Sequence, residues 1–188
     1  MPLTALFVAA VAGLATPAAA SPTVAPTDTI HDLRDVFAVD ARLANVYGDP
    51  WPDAVAARLI LAAGPGPAET AAAANVAARL GYETTATNLD RAAMVGGTFD
   101  APVVLIGAGP AASAGLDVGA LRAGMAPGQG AVVHVDPSSA YRRGGLALVG
   151  YDASGLLEAS AYLAGRHPSV WGVDGTSWSE VVEGVDSL

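Results

Sequence analysis

Residues 100–119 read DAPVVLIGAGPAASAGLDVG. Within them Val103–Ile106 is an unbroken apolar run that meets Gly107-Ala108-Gly109 directly, the pattern of a buried parallel strand turning sharply toward a helix. A strand apolar on both faces needs neighbours on both sides, and the flanking sequence supplies them. RLILAAG (58–64) is a second short apolar run, ended by GPGP (64–67). AETAAAANVAARLG (68–81) follows as an Ala-rich helix with Gly81 in the place of a C′ glycine. YETTATNL (82–89), β-branched and polar, is predicted as an edge strand.

Downstream, LDVGALRAGM (116–125) predicts a short, glycine-weakened helix. GAVVHVDP (130–137) and GGLALVGYD (144–152) are strands joined through SSAYRRGG (138–145), a connection short enough for a hairpin. ASGLLEASAYLAGR (153–166) places Leu156, Leu157, Ala161 and Leu163 on one helical face. The order β-α-β-β-α-β-β-α predicts a three-layer, Rossmann-like α/β domain whose sheet is mostly parallel, with one antiparallel hairpin near its edge.

Before this region, LTALFVAAVAGL (3–14) has the length of a signal-peptide h-region, and ATPAAASP (15–22) offers Ala18-Ala19-Ala20 as the small-residue cleavage site. Residues 1–20 are therefore read as a signal peptide and the protein as exported, although the n-region after Met1 holds no Lys or Arg. The run is too short and too rich in Ala and Gly for a transmembrane span. SPTVAPTDT (21–29) reads as a linker, and residues 30–188 as a single α/β domain. TDTIHDLRDVFAVDARLANVYG (27–48) suits a short helix followed by an extended piece, and GDPWPD (48–53) breaks any helix. The final stretch, SVWGVDGTSWSEVVEGVDSL (169–188), holds a short strand or turn and an amphipathic end, which fits the N-terminal part of a longer protein.

Composition narrows the chemistry. The formal net charge is −9, with nine Arg, no Lys and no Cys. The missing lysine removes Walker-type and Schiff-base chemistry, the acidic balance disfavours nucleic acid, and an exported chain without cysteine must be held by core packing alone. His31, His134 and His167 have no companions at metal-ligand spacing, so no metal site is expected. Asp28, Asp32, Asp35 and Asp40 read as a solvated helix face. Ser113 in AASAG fails the nucleophile-elbow pattern, and no catalytic residue is assigned.

The glycine turn has two readings. As a FAD or NAD site, Gly107, Gly109 and Ala112 would form the tight turn and Asp136 would meet the ribose. Against it, Pro110, Gly115, Gly119 and Gly124 interrupt the following helix, and Asp136 lies 29 residues after Gly107 where about 20 is usual. The other reading is a turn that only lets a buried strand leave the sheet, and no cofactor is then required. Tyr141, Arg142 and Arg143 at the hairpin tip, with Asp152, are candidate ligand or partner contacts; a solvated turn is the plainer alternative for the arginines. Trp51, Trp171 and Trp178 suit either sugar stacking or packing.

The succession APVVLIGAGPAA, GQGAVVHVDP and GGLALVGYDASGLLEASAYLAG resembles an α/β domain of archaeal and bacterial S-layer and cell-surface proteins, and AETAAAANVAARLG is similar to the helix that precedes it there. Ser113 after Ala111-Ala112 departs from that pattern, which has Asn nearby. The GYDASGLLEASAYL segment also looks like accessory domains of exported glycoside hydrolases and Rossmann-like parts of cellulose-synthase periplasmic subunits. All of these imply a structural or binding role in the cell envelope, with no catalytic residue carried over. The implied partners are other envelope proteins or cell-surface polysaccharide, and an oligomer is compatible with that role. An accessory domain of a carbohydrate-active enzyme is the alternative, and a FAD- or NAD-binding protein the more distant one.

Overall fold

The computed structural model of the chain describes residues 42–45, 52–84 and 91–165. The leader, the linker, most of 27–48, the segment 169–188 and the three tryptophans lie outside the described residues.

Four strands are parallel: β3 (Arg58–Leu61), β4 (Ala92–Met94), β5 (Val103–Ile106) and β7 (Gly145–Gly150). A fifth, β6 (Gly130–Val135), runs antiparallel to β7, and the order across the sheet is β4-β3-β5-β7-β6. The architecture is the expected Rossmann-like α/β sheet with its antiparallel hairpin at one edge. Two short strands, β1 (Leu43–Ala44) and β2 (Ala54–Val55), form a separate antiparallel ladder with Leu43 opposite Val55. Two-residue strands carry no periodicity, so they leave no trace in the sequence pattern.

Side-chain alternation divides the core between the two faces. In β5, Val104 and Ile106 join Leu59, Leu146 and Leu148 beneath α1 (Pro67–Tyr82) and α4 (Ala153–Gly165). Val103 and Leu105 join Ile60, Ala147 and Val149 on the other face, where α2 (Ala108–Ser113) and α3 (Val118–Ala123) lie. This period of two lets a wholly apolar strand serve two helical layers at once. Helix α1 answers with Ala72, Val76 and Leu80, spaced by four, and α4 with Leu156, Ala159 and Leu163.

A polar seam joins the two long helices. Asn75 Nδ2 donates to Ser160 Oγ at 3.0 Å, and Arg79 Nη1 donates to the Ala164 carbonyl at 2.9 Å. Arg79 Nε also binds the buried Glu83 carboxylate at 2.7 Å.

Three local readings change. Helix α1 runs through Gly81 to Tyr82, because the Arg79–Glu83 pair and the Glu83 N–H to Arg79 O bond complete its last turn. The edge strand is β4, about ten residues later than YETTATNL; Tyr82 belongs to α1, Glu83 and Thr84 form its end, and residues 85–89 lie outside the described residues. The glycine turn leads into α2, one short helix that Ala114 and Gly115 close, Gly115 with φ 84°.

Candidate functional site

In an open α/β sheet a ligand sits outside the carboxyl ends of the strands, where the strand order reverses. Here the chain passes from β3 outward to β4 and returns to β5 on the other side of β3, so the reversal lies between β3 and β5. The crevice is bounded by the loop Ala62–Gly66 entering α1 and by Gly107 entering α2.

The sequence at the start of α1 fixes what occupies it. Gly66-Pro67-Ala68-Glu69 places Pro at N1 and an acid at N3, a helix-start pattern in which the glutamate turns back toward the N-cap amide. Glu69 Oε2 accepts from the Gly66 N–H at 2.9 Å. Its other oxygen, Oε1, lies over Gly107: a Cβ built on that residue would stand 2.5 Å from it. Gly107 has φ 91°, a conformation side chains avoid, and the room a side chain would need is already filled by the carboxylate.

The Gly107 N–H is committed to the Leu148 carbonyl at 2.9 Å, inside the fold. A pyrophosphate approaching this turn would meet the Glu69 carboxylate beside Gly107, and like charges at such range repel.

The remaining residues of the dinucleotide pattern are not brought together. Gly109 faces Ala62, whose Cβ would stand 3.9 Å from a Cβ built on the glycine, and Ala112 is exposed on α2. Asp136 follows the antiparallel β6, whose last residue, Val135, pairs with Gly145, and Gly145 pairs with Val103 at the amino end of β5. The aspartate therefore sits at the end of the sheet opposite Gly107. Spacing along the sequence could not show this, because it depends on the direction of β6.

The other four candidates also divide. Tyr141 is 1% exposed; its ring stacks on Phe99 at 5.9 Å and its hydroxyl shares a 2.6 Å hydrogen bond with Ser113 Oγ. It is a core residue of the α2 face, reached by no ligand at the surface. Arg142 is exposed and pairs with Asp100 at 3.1 Å. Arg143 lies close enough to the buried Arg42 to add to the effect of burial, which lowers the Arg42 pKa to about 10. All three precede β7, whereas Asp152 follows it, so they stand at opposite ends of the sheet.

Asp152 is a tie between segments. Oδ1 accepts from Gly155 N at 2.9 Å, capping α4, and Oδ2 accepts from Gly128 N at 3.0 Å in the loop before β6. The bonds from Gly155 and Gly128 hold its carboxyl below the ordinary 3.8. A depressed folded-state pKa stabilises above the unfolded value and is lost as pH falls through the folded one. Asp152→Ala should lower the melting temperature by several degrees at neutral pH, and the gap to wild type should close as the pH is taken well below 3.8. Parallel melting curves across that range check it.

Among the described residues no group of three or more His, Asp or Glu could hold a metal ion, and no helix is long and apolar enough to cross a membrane. His134, between two valines of β6, is a half-buried rim residue 3.4 Å from Asp136. Comparison of the sequence with protein-family models and with curated proteins finds no match. Glu69 is the residue of this region that motif reading passed over. Its signal was available in the Gly-Pro-x-Glu start of α1.

Proposed function

We propose that the chain is an exported, non-catalytic domain of the cell envelope, of the S-layer or surface-protein type, with a structural or interaction role. The observation that carries this reading is Glu69. The place where this fold class holds an anionic cofactor contains the domain's own carboxylate, which supports a glycine turn that serves the fold over one that holds a dinucleotide. The apolar leader supports export to a setting where the domain acts through its surface. Its partners are envelope proteins or surface polysaccharide.

The test has two arms. Expression in a host with its own secretion machinery should give a chain in the envelope or secreted fraction whose N-terminus, by mass spectrometry, begins after Ala20. The purified protein should be colourless, with tryptophan emission and melting temperature unchanged by FAD or NAD. A bound flavin, or a rise of several degrees with either dinucleotide, would overturn the proposal.

A further inference from the structure

The two edges of the sheet are built differently. At one, β4 has three residues, follows Arg91 and runs into a turn at Gly96 with φ 112°. At the other, β6 is paired along all six residues with β7 and without a bulge. Natural edge strands are usually kept short, charged, bulged or interrupted by proline, because an open row of N–H and C=O groups invites another strand. β6 reads Gly-Ala-Val-Val-His-Val and has none of these devices.

The register identifies the open groups. Tyr151 N donates to Gln129 O at 2.8 Å, which makes 129 and 151 a hydrogen-bonded pair. Alternation along an antiparallel ladder then turns Ala131, Val133 and Val135 toward β7, and Gly130, Val132 and His134 away from it. β7 confirms the phase, since the Leu148 carbonyl, opposite Val132, faces β5 and accepts from Gly107. The outward main-chain groups of Gly130, Val132 and His134 make no hydrogen bond among the described residues.

We propose that this edge pairs with β6 of a second copy of the chain, antiparallel across a two-fold axis at Val132, giving one continuous sheet through both copies. Three features select a second copy. The pairing is self-complementary in register, because it places each His134 opposite Gly130 of the other copy and sets Val132 against its own mate. β-branched residues facing each other across a ladder are a favourable pair. It is also compatible in charge. The chain as a whole carries −9, yet β6 contains no Asp, Glu or Arg, so two acidic molecules meet through a strand that brings no carboxylates together. Finally, a two-fold contact closes on itself and leaves no open edge at β6. The inference does not depend on where the chain acts.

Val132 offers a clean test because its own N–H serves no bond among the described residues. Val132→Pro removes an outward donor that the monomer does not use, and proline is tolerated on an edge strand in that position. Val132→Lys places a charge on each side of the axis; it stands in for the first variant if the proline variant misfolds. Sedimentation of the protein, from micromolar to millimolar concentration, should show a species of twice the mass of the single chain. Either variant, its fold verified by circular dichroism, should weaken that association at least about tenfold. Amide exchange at Val132 and His134 should slow as wild-type concentration rises. A wild type that stays monomeric, a dimer indifferent to both variants, or amides at 132 and 134 that exchange freely in the dimer would each overturn the proposal.

Discussion

Gly155→Ala is expected to cost about 3 kcal/mol of folding stability, even though alanine is the better helix former by about 1 kcal/mol. Gly155 lies in the first turn of α4, where that helix crosses the start of β6. A Cβ there would overlap the Gln129 carbonyl oxygen and stand 2.5 Å from its carbon. The strand residue beneath has the reciprocal requirement, since a Cβ on Gly130 would overlap the Gly155 carbonyl oxygen and stand 2.9 Å from the Ala159 Cβ. The closest obstacle in each case is backbone, which cannot swing aside as a flexible side chain can. The helix or the strand must move as a unit, and each is tied to β7. Gly81→Ala is the internal control. That glycine is inside the last turn of α1 with nothing within 4 Å of an added methyl group, so alanine there should stabilise by up to about 1 kcal/mol. Urea denaturation of both variants checks the pair; equal effects would contradict the crossing described for α4.

Leu148→Ala should be comparably damaging, by about 2–5 kcal/mol. Leu148 is fully buried in β7, flanked by Ile106 in β5 and Val132 in β6, beneath the α1 and α4 layer. Its removal leaves a cavity walled by strands that hold each other by main-chain bonds, so the site has little freedom to collapse. Against a total stability of about 5–15 kcal/mol, such a loss threatens the fold itself. The midpoint of urea unfolding should fall while the slope is preserved. A change below about 1 kcal/mol would show that this face is packed more loosely than its burial implies.

Much of the sheet was legible because its central strands are short, apolar and bounded by glycine. Val103–Ile106 and Gly145–Gly150 fall within the segments that the apolar runs mark out, and α1 and α4 follow their three-and-four spacing. β4 was not legible, since Ala92-Ala93-Met94 has neither β-branching nor alternation and is held by its pairing to Leu59–Leu61. Gly81 misled because a glycine near a helix end is read as a terminator, whereas the Arg79–Glu83 pair carries the helix past it. At the crevice, sequence supplied the two glycines and the broken helix that follows. It could not show that Asp136 belongs to the far end of the sheet, nor that Glu69 reaches across to Gly107, because both depend on how separate segments are laid side by side.

The seam between α1 and α4 has a consequence for uniqueness. Beside the seam the two helices face each other with Ala78, Ala161, Ala164 and Gly165, small residues that make few ridges to favour one sliding position over the next. Asn75 and Arg79 are one turn apart on α1, and each reaches a partner 85 residues away, Ser160 and the Ala164 carbonyl. A shift of either helix along its axis by a single turn would break both contacts and strand the polar groups against alanine. These hydrogen bonds work as a detent: modest in strength, they single out one axial setting from a series that burial of methyl groups alone would leave nearly equal.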